Sequence, residues 1–236
     1  MYSVGTPVWI WVGVALIAIP VVVVGLLVGV DFLRRKPRLS VRLGETVVDL
    51  WVRERRLPCM SEAILAPVAT DMKMVAGIAK WIRDSTAGRV QNQALAHAPA
   101  APGTGFVGAG GRYRFGMAAL AVVMDEAKRW SPETVEQGVA AAIRAARMAG
   151  AGTILIPDLT DDLLSQPRRA DLEVRRETCR VATRAMLQAI ASTRSEMHRV
   201  GIWVWRTGVE DIVLDEITQL AAASRAAALP VGAPTA

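Results

Sequence analysis

Residues 62–88, EAILAPVATDMKMVAGIAKWIRDSTAG, contain the change of period that decides the fold. Residues 62–68 are a short apolar run bounded by Pro67 and Thr70, the pattern of a strand buried on both faces. From residue 72 to 86 the spacing of Met74, Ile78, Trp81 and Ile82 predicts a helical stripe, and Gly88 stands where a C-terminal cap is expected. A buried strand followed at once by an amphipathic helix is half of a crossover unit.

The same alternation runs outward in both directions. Residues 39–56 alternate enough, with Val47, Val48, Leu50, Trp51 and Val52 among polar side chains, to predict one strand or a strand pair. Residues 94–111, ALAHAPAAPGTGFVGAGG, are rich in Ala, Gly and Pro without a charge and predict a loop. That loop lacks the lysine and the strand-to-helix setting of a phosphate cradle. Residues 113–124 predict a strand around MAALAVVM. Residues 131–150 open with Ser131, Pro132 and Glu133 and carry Val135, Val139, Ile143 and Ala146 on one face, so a capped helix is expected. TILIP, 153–157, is a buried strand, and DLTDDLLSQ a loop closed by Pro167. Residues 175–193 predict a helix, 194–205 a segment ending in the strand VGIWVW, and 210–223 a last helix. This order predicts a three-layer α/β/α fold with a mixed, largely parallel sheet.

A different solvent is written into the N-terminus. The 23 residues 8–30 contain no charged side chain, and at about 1.5 Å of rise each they span roughly 34 Å, enough for a hydrocarbon core about 30 Å thick. A transmembrane helix follows, with residues 1–7 outside and a basic juxtamembrane linker at 31–46. Arg34, Arg35, Lys36, Arg38 and Arg42 after the span place the remainder on the cytoplasmic side of a cell (inner) membrane. Trp9 and Trp11 suit the outer interface. Pro20 and the Gly25/Gly29 step offer a face for a neighbouring helix. The globular part is assigned to 47–223 and a flexible tail to 224–236.

Composition narrows the function classes. The net charge of +6 is explained by a basic cluster against anionic lipid, and no basic–aromatic interleaving points to nucleic acid. Cys59 and Cys179 lack C-x-x-C spacing, and His97 and His198 stand about a hundred residues apart without a ligand cluster. Neither a disulfide, a metal nor a cofactor is expected.

With these elements in place the chain resembles a macro domain over 47–220. The 62–88 stretch is similar to the family pattern DAIVNAAN followed by a GGGVAGAI helix start. GRYRFGMAALAVV, 111–123, resembles the strand reading RYVIHAV, and AGAGTILIPDLTDDLLSQP, 149–167, parallels G-x-x-SIAFPAISTGIYGFP with equal length between the prolines. The resemblance implies an ADP-ribose cleft, and the departures fall on it. The family's asparagines correspond to Ala66 and Ala69. Its glycines correspond to Val75, Ala76 and Gly77, and the adenine-holding aspartate to Arg55. The diphosphate loop becomes Thr160, Asp161, Asp162 and Ser165. A like-charge pair about 4 Å apart costs up to roughly 4 kcal/mol at an effective dielectric of 20, whereas micromolar binding is about 8 kcal/mol in total. Two acids at that loop are therefore expected to remove most nucleotide affinity. The expectation is a membrane-anchored, non-catalytic docking or accessory subunit, contacting lipid and other membrane subunits or a second copy. The alternative is a tethered binder of ADP-ribose or a related nucleotide. A hydrolase would need a nucleophile or general base that the spacing does not nominate.

Overall fold

Strand β3, Ala63–Ala69, is the centre of the domain because every one of its side chains is apolar and buried. Its residues alternate between two cores: Ala63, Leu65 and Ala69 face one, and Ile64, Ala66 and Val68 face the other. A strand covered on both faces is what a parallel sheet between two helical layers demands. The computed structural model describes residues 36–52, 61–110, 115–164, 170–193, 196–205 and 208–228. Residues from Pro37 onward form a unit of their own.

The other strands are β1 (Leu39–Leu43), β2 (Thr46–Val52), β4 (Gly105–Ala109), β5 (Met117–Met124), β6 (Thr153–Pro157) and β7 (Arg199–Val204). They make a 7-stranded sheet in the order β1-β2-β7-β6-β3-β5-β4. From β2 to β5 all pairs are parallel, and each edge strand is antiparallel to its neighbour. The helices are α1 (Gly77–Ser85), α2 (Arg89–Leu95), α3 (Pro132–Met148), α4 (Thr160–Leu163), α5 (Leu172–Ser192) and α6 (Glu210–Ala228). Helices α3, α5 and α6 contribute Val139, Met186 and Ile217 to the larger core, and α1 and α2 contribute Ile82 and Val90 to the smaller one. The three-layer, mixed and largely parallel architecture is the expected one.

Local chemistry sets the boundaries. Ser131 caps α3: its hydroxyl accepts from Thr134 N–H at 3.2 Å while Thr134 Oγ1 accepts from Ser131 N–H at 3.0 Å, a reciprocal box with Pro132 at the first helical position. Asp171 caps α5 by accepting from Val174 N–H at 2.8 Å, and the helix begins at Leu172, three residues before the start expected at 175.

Several expectations are corrected. Helix α1 spans 77–85, not 72–86. Met72 takes φ 55°, and the side chain of Gln91 accepts from Met74 N–H and donates to the Met72 carbonyl. Met72 and Met74 are fully buried as loop anchors, while Trp81 is 39% exposed, so the apparent helical stripe mixed two environments. The amide of Gly88 still closes α1 on the Arg83 carbonyl at 2.9 Å, but Gly88 also precedes α2. The loop expected over 94–111 contains the end of α2 and all of β4. A Cβ on Gly105 would lie 2.2 Å from the backbone nitrogen of Ala142, so glycine there lets β4 lie on the α3 backbone. The strand pair read over 39–56 is present as β1 and β2, so the linker drawn to 46 overlaps β1, and α6 runs on through 224–228.

The apolar segment 8–30, with Trp9, Trp11, Pro20, Gly25 and Gly29, lies outside the described residues, as do Arg34, Arg35, Arg55, Cys59 and Ser165. Among the described residues no helix is long and apolar enough to cross a membrane. Lys36 and Arg38 are described, and both are exposed.

Candidate functional site

The parallel strands deliver their C-terminal ends to one edge of the sheet, where open α/β folds place ligands. There a cleft of about 210 Å³ is lined by Pro67, Val68 and Ala69 of β3, Lys73, Val75 and Ala76 of the following loop, and Ala79 of α1. Met124, Lys128, Asp162, Leu163 and Leu164 close the other side. The walls are mainly methyl and methylene groups, with charge confined to Lys73, Lys128 and Asp162.

At one end Asp162 meets the start of α1. Gly77 has φ +52°, and a Cβ built on it would lie 1.6 Å from Oδ1 of Asp162 and 2.4 Å from its Cγ. The carboxylate thus fills the space that the glycine leaves open. The cap residue of α1, Ala76, supplies no side-chain hydrogen bond, so the positive end of that helix faces an anionic group of the protein itself. At the other end Lys128 Nζ lies 3.2 Å from Oδ1 of Asp71, and Lys73 Nζ lies 3.6 Å from its Oδ2. The amide of Lys73 also donates to Asp71 Oδ1 at 3.1 Å. Burial raises the Asp71 carboxyl, but these donors and the two lysines outweigh it and hold the group below its ordinary value.

Asp162 sits on the short helix α4, where a loop was expected, and that turn is fixed from beneath. Asp158, at the end of β6, accepts from Thr160 N–H at 3.0 Å and from Thr160 Oγ1 at 2.5 Å. Burial pushes its carboxyl above the usual range, with Asp161 adding to the shift and Thr160 opposing it. Asp161 pairs with Arg175 at 2.7 Å, both side chains largely buried. Cys179 lies below, its thiol pushed up to about 11 chiefly by burial and then by Asp158. It is a free, buried cysteine, without the raised thiolate fraction that reactivity needs.

The sequence-derived residues therefore separate. Ala69, Val75, Ala76 and Asp162 line the cleft, and Gly77 receives Asp162. Thr160 and Asp161 lie beneath it in the turn's support. Ala66 is fully buried on the α1 side of β3 and is not among the residues lining the cleft. The two-lysine arrangement around Asp71 and the buried Asp158 escaped sequence reasoning. The partners lie far apart in the chain, Asp71 and Lys128 by 57 residues. Among the described residues no group of three or more His, Cys, Asp or Glu side chains could hold a metal.

This arrangement of sheet and cleft belongs to the three-layer α/β class with a site at the strand C-termini. No protein-family model and no curated protein sequence matches the chain. Solved structures match it as macrodomains. The Oceanobacillus iheyensis macrodomain with ADP superimposes with a TM-score of 0.61 at 10% identity, over 77% of this chain and 95% of that one. A variant of the same protein with ADPR gives 0.58 at 12% identity, over 77% and 97%. The Trypanosoma brucei macrodomain in complex with ADP-ribose gives 0.56 at 10% identity, over 72% and 68%. The fold is the macrodomain fold.

Proposed function

We propose that this chain is a membrane-anchored macro-like domain whose nucleotide cleft is closed by its own side chains, and that it serves as a non-catalytic docking or accessory subunit. One observation carries the reading: the Asp162 carboxylate sits against Gly77 at the start of α1, where an anionic ligand would have to approach the helix amides. The volume agrees, since about 210 Å³ falls short of the roughly 300–1,000 Å³ of typical ligand pockets. A diphosphate entering here would meet a carboxylate of like charge. The anchor is argued from the uncharged segment 8–30 and the basic residues after it. In this reading the N-terminus faces out and the domain lies at the cytoplasmic face of the inner membrane. Partners are lipid and other membrane subunits, or a second copy meeting through Gly25 and Gly29.

The second reading, a tethered binder of ADP-ribose or a related nucleotide, is favoured by the structural neighbours that hold ADP or ADP-ribose. Docking is tested by native sizing of detergent-solubilised membranes, comparing the wild type with Gly25→Leu plus Gly29→Leu. The wild type should run as a larger assembly that the double variant loses; identical monomers for both would contradict docking. A reporter fused after Ala236 should be active in the cytoplasm, and activity only on the outer side would overturn the orientation.

A further inference from the structure

We propose that the cleft is a binding site for a small apolar monocarboxylate, its hydrocarbon part lying between β3, α1 and α4 and its carboxylate held by Lys73 and Lys128. The two ammonium groups come from different loops and already converge on a carboxylate, that of Asp71, at 3.6 and 3.2 Å. Both ammonium groups line the cleft and each has further N–H donors beyond its contact with Asp71, so a ligand carboxylate can accept from the two together. Both lysines are accessible, their side chains 61% and 42% exposed. Lys128 is also held in place by its backbone. It takes φ 61°, a conformation that a non-glycine residue adopts at a cost and that concentrates at functional sites. The turn is closed by Lys128 N–H on the Asp125 carbonyl at 3.1 Å and by Asp125 N–H on the Arg129 carbonyl at 2.9 Å.

The rest of the cleft sets the ligand's other properties. Val68, Ala69, Ala79, Met124, Leu163 and Leu164 offer no charge to a ligand, which calls for a hydrocarbon body. A volume of 210 Å³ holds about seven water-sized groups at ~30 Å³ each, the scale of a six-carbon chain. Asp162 also lines the cleft and repels a second anionic group, so the site selects a monoanion over a dianion or a diphosphate.

The experiment uses the full chain in lipid nanodiscs with [methyl-13C]methionine and hexanoate as the probe, followed at the Met124 methyl in the cleft. Met148, 85% exposed on α3, reports non-specific partition. Hexanoate should shift Met124 saturably and leave Met148 in place. 1-Hexanol and hexylamine should bind roughly tenfold or more weakly, having no carboxylate to accept from the lysines. Lys73→Gln with Lys128→Gln, and separately Val75→Glu at a position 56% exposed, should abolish the preference for hexanoate while Met148 keeps its wild-type methyl signal. No shift at Met124, equal shifts at Met148, or a preference for hexanoate that survives both variants would overturn the proposal. So would a peptide ending in a leucine carboxylate that shifts Met124 where hexanoate does not. This inference goes beyond the docking reading, which hexanoate does not test and native sizing does.

Discussion

Replacing Gly77 by alanine should uncouple the start of α1 from the turn that carries Asp162, and the size of the effect follows from geometry. An alanine at φ +52° carries a left-handed backbone penalty of about 1–2 kcal/mol. Its methyl carbon would also lie 1.6 Å from the Asp162 oxygen, so the carboxylate must swing away. That forfeits its interaction with the helix end, about 0.3–1 kcal/mol, and some packing. Gly77→Ala should therefore cost about 2–3 kcal/mol. Asp162→Ala alone forfeits only the second contribution, about 1 kcal/mol or less. In the double variant the carboxylate is already gone, so its stability should equal that of Gly77→Ala. The coupling is then about 1 kcal/mol in magnitude, measurable in a double-mutant cycle. Urea melts of the unit Pro37–Ala236, fitted with a common slope, would read it. If the two single effects add to within about 0.3 kcal/mol, the carboxylate does not occupy the space above Gly77 and the closed-cleft reasoning fails.

Asp158 titrates above its unfolded value because it is buried, so the folded state holds its proton more tightly. Stability from this group is present below the unfolded pKa near 4 and is lost as pH rises through the folded value. Asp158→Asn, which keeps an acceptor for Thr160, should gain relative to the wild type as pH rises; thermal melts from pH 4 to 8 showing a flat difference would disprove the buried charge. Asp71 runs the other way, with its depressed carboxyl giving stability above the unfolded pKa that is lost as pH falls through the folded one. Asp71→Asn should therefore shrink the loss of stability on acidification. Gly105→Val should be among the most damaging substitutions, about 3 kcal/mol or more, because a Cβ lies 2.2 Å from the Ala142 nitrogen and overpacking backbone against backbone has no rotamer to relieve it. A melting temperature within a few degrees of wild type would refute the tight contact of β4 with α3. Glu62 accepts from Gly152 and Thr153 N–H at 2.6 and 2.9 Å, yet it is exposed; Glu62→Ala should cost only about 1 kcal/mol, since the freed amides rehydrate.

The order of layers was legible because burial on two faces leaves a plain trace. The short apolar runs AILAPVA and, after Thr153, ILIP are interior strands whose burial shows in their residue types, and Ser131 with Pro132 marks the α3 start by cap chemistry alone. Strand β4 was illegible for the opposite reason. Its Gly105 lies against the α3 backbone and its Gly108 against Val90 and Gln93 of α2, and such glycines look like loop residues to any reading based on propensity. Met72 and Met74 misled through spacing, since side chains anchoring a loop can repeat at a helical interval without a helix. Within the site, the departures at Val75, Ala76 and Asp162 were visible as residue types, and all three line the cleft. What Asp162 touches was not visible, nor was the convergence of Lys73 and Lys128 on Asp71, because both depend on tertiary placement of loops.

The central claim, that the protein's own side chains close the nucleotide cleft, is tested most directly by calorimetric titration of ADP-ribose into the full chain and into Asp162→Gly. The account predicts no saturable heat for the wild type at tens of micromolar, below the roughly 8 kcal/mol that micromolar binding represents, and a measurable gain when the carboxylate is removed. Micromolar binding by the wild type, unchanged in Asp162→Gly, would contradict it.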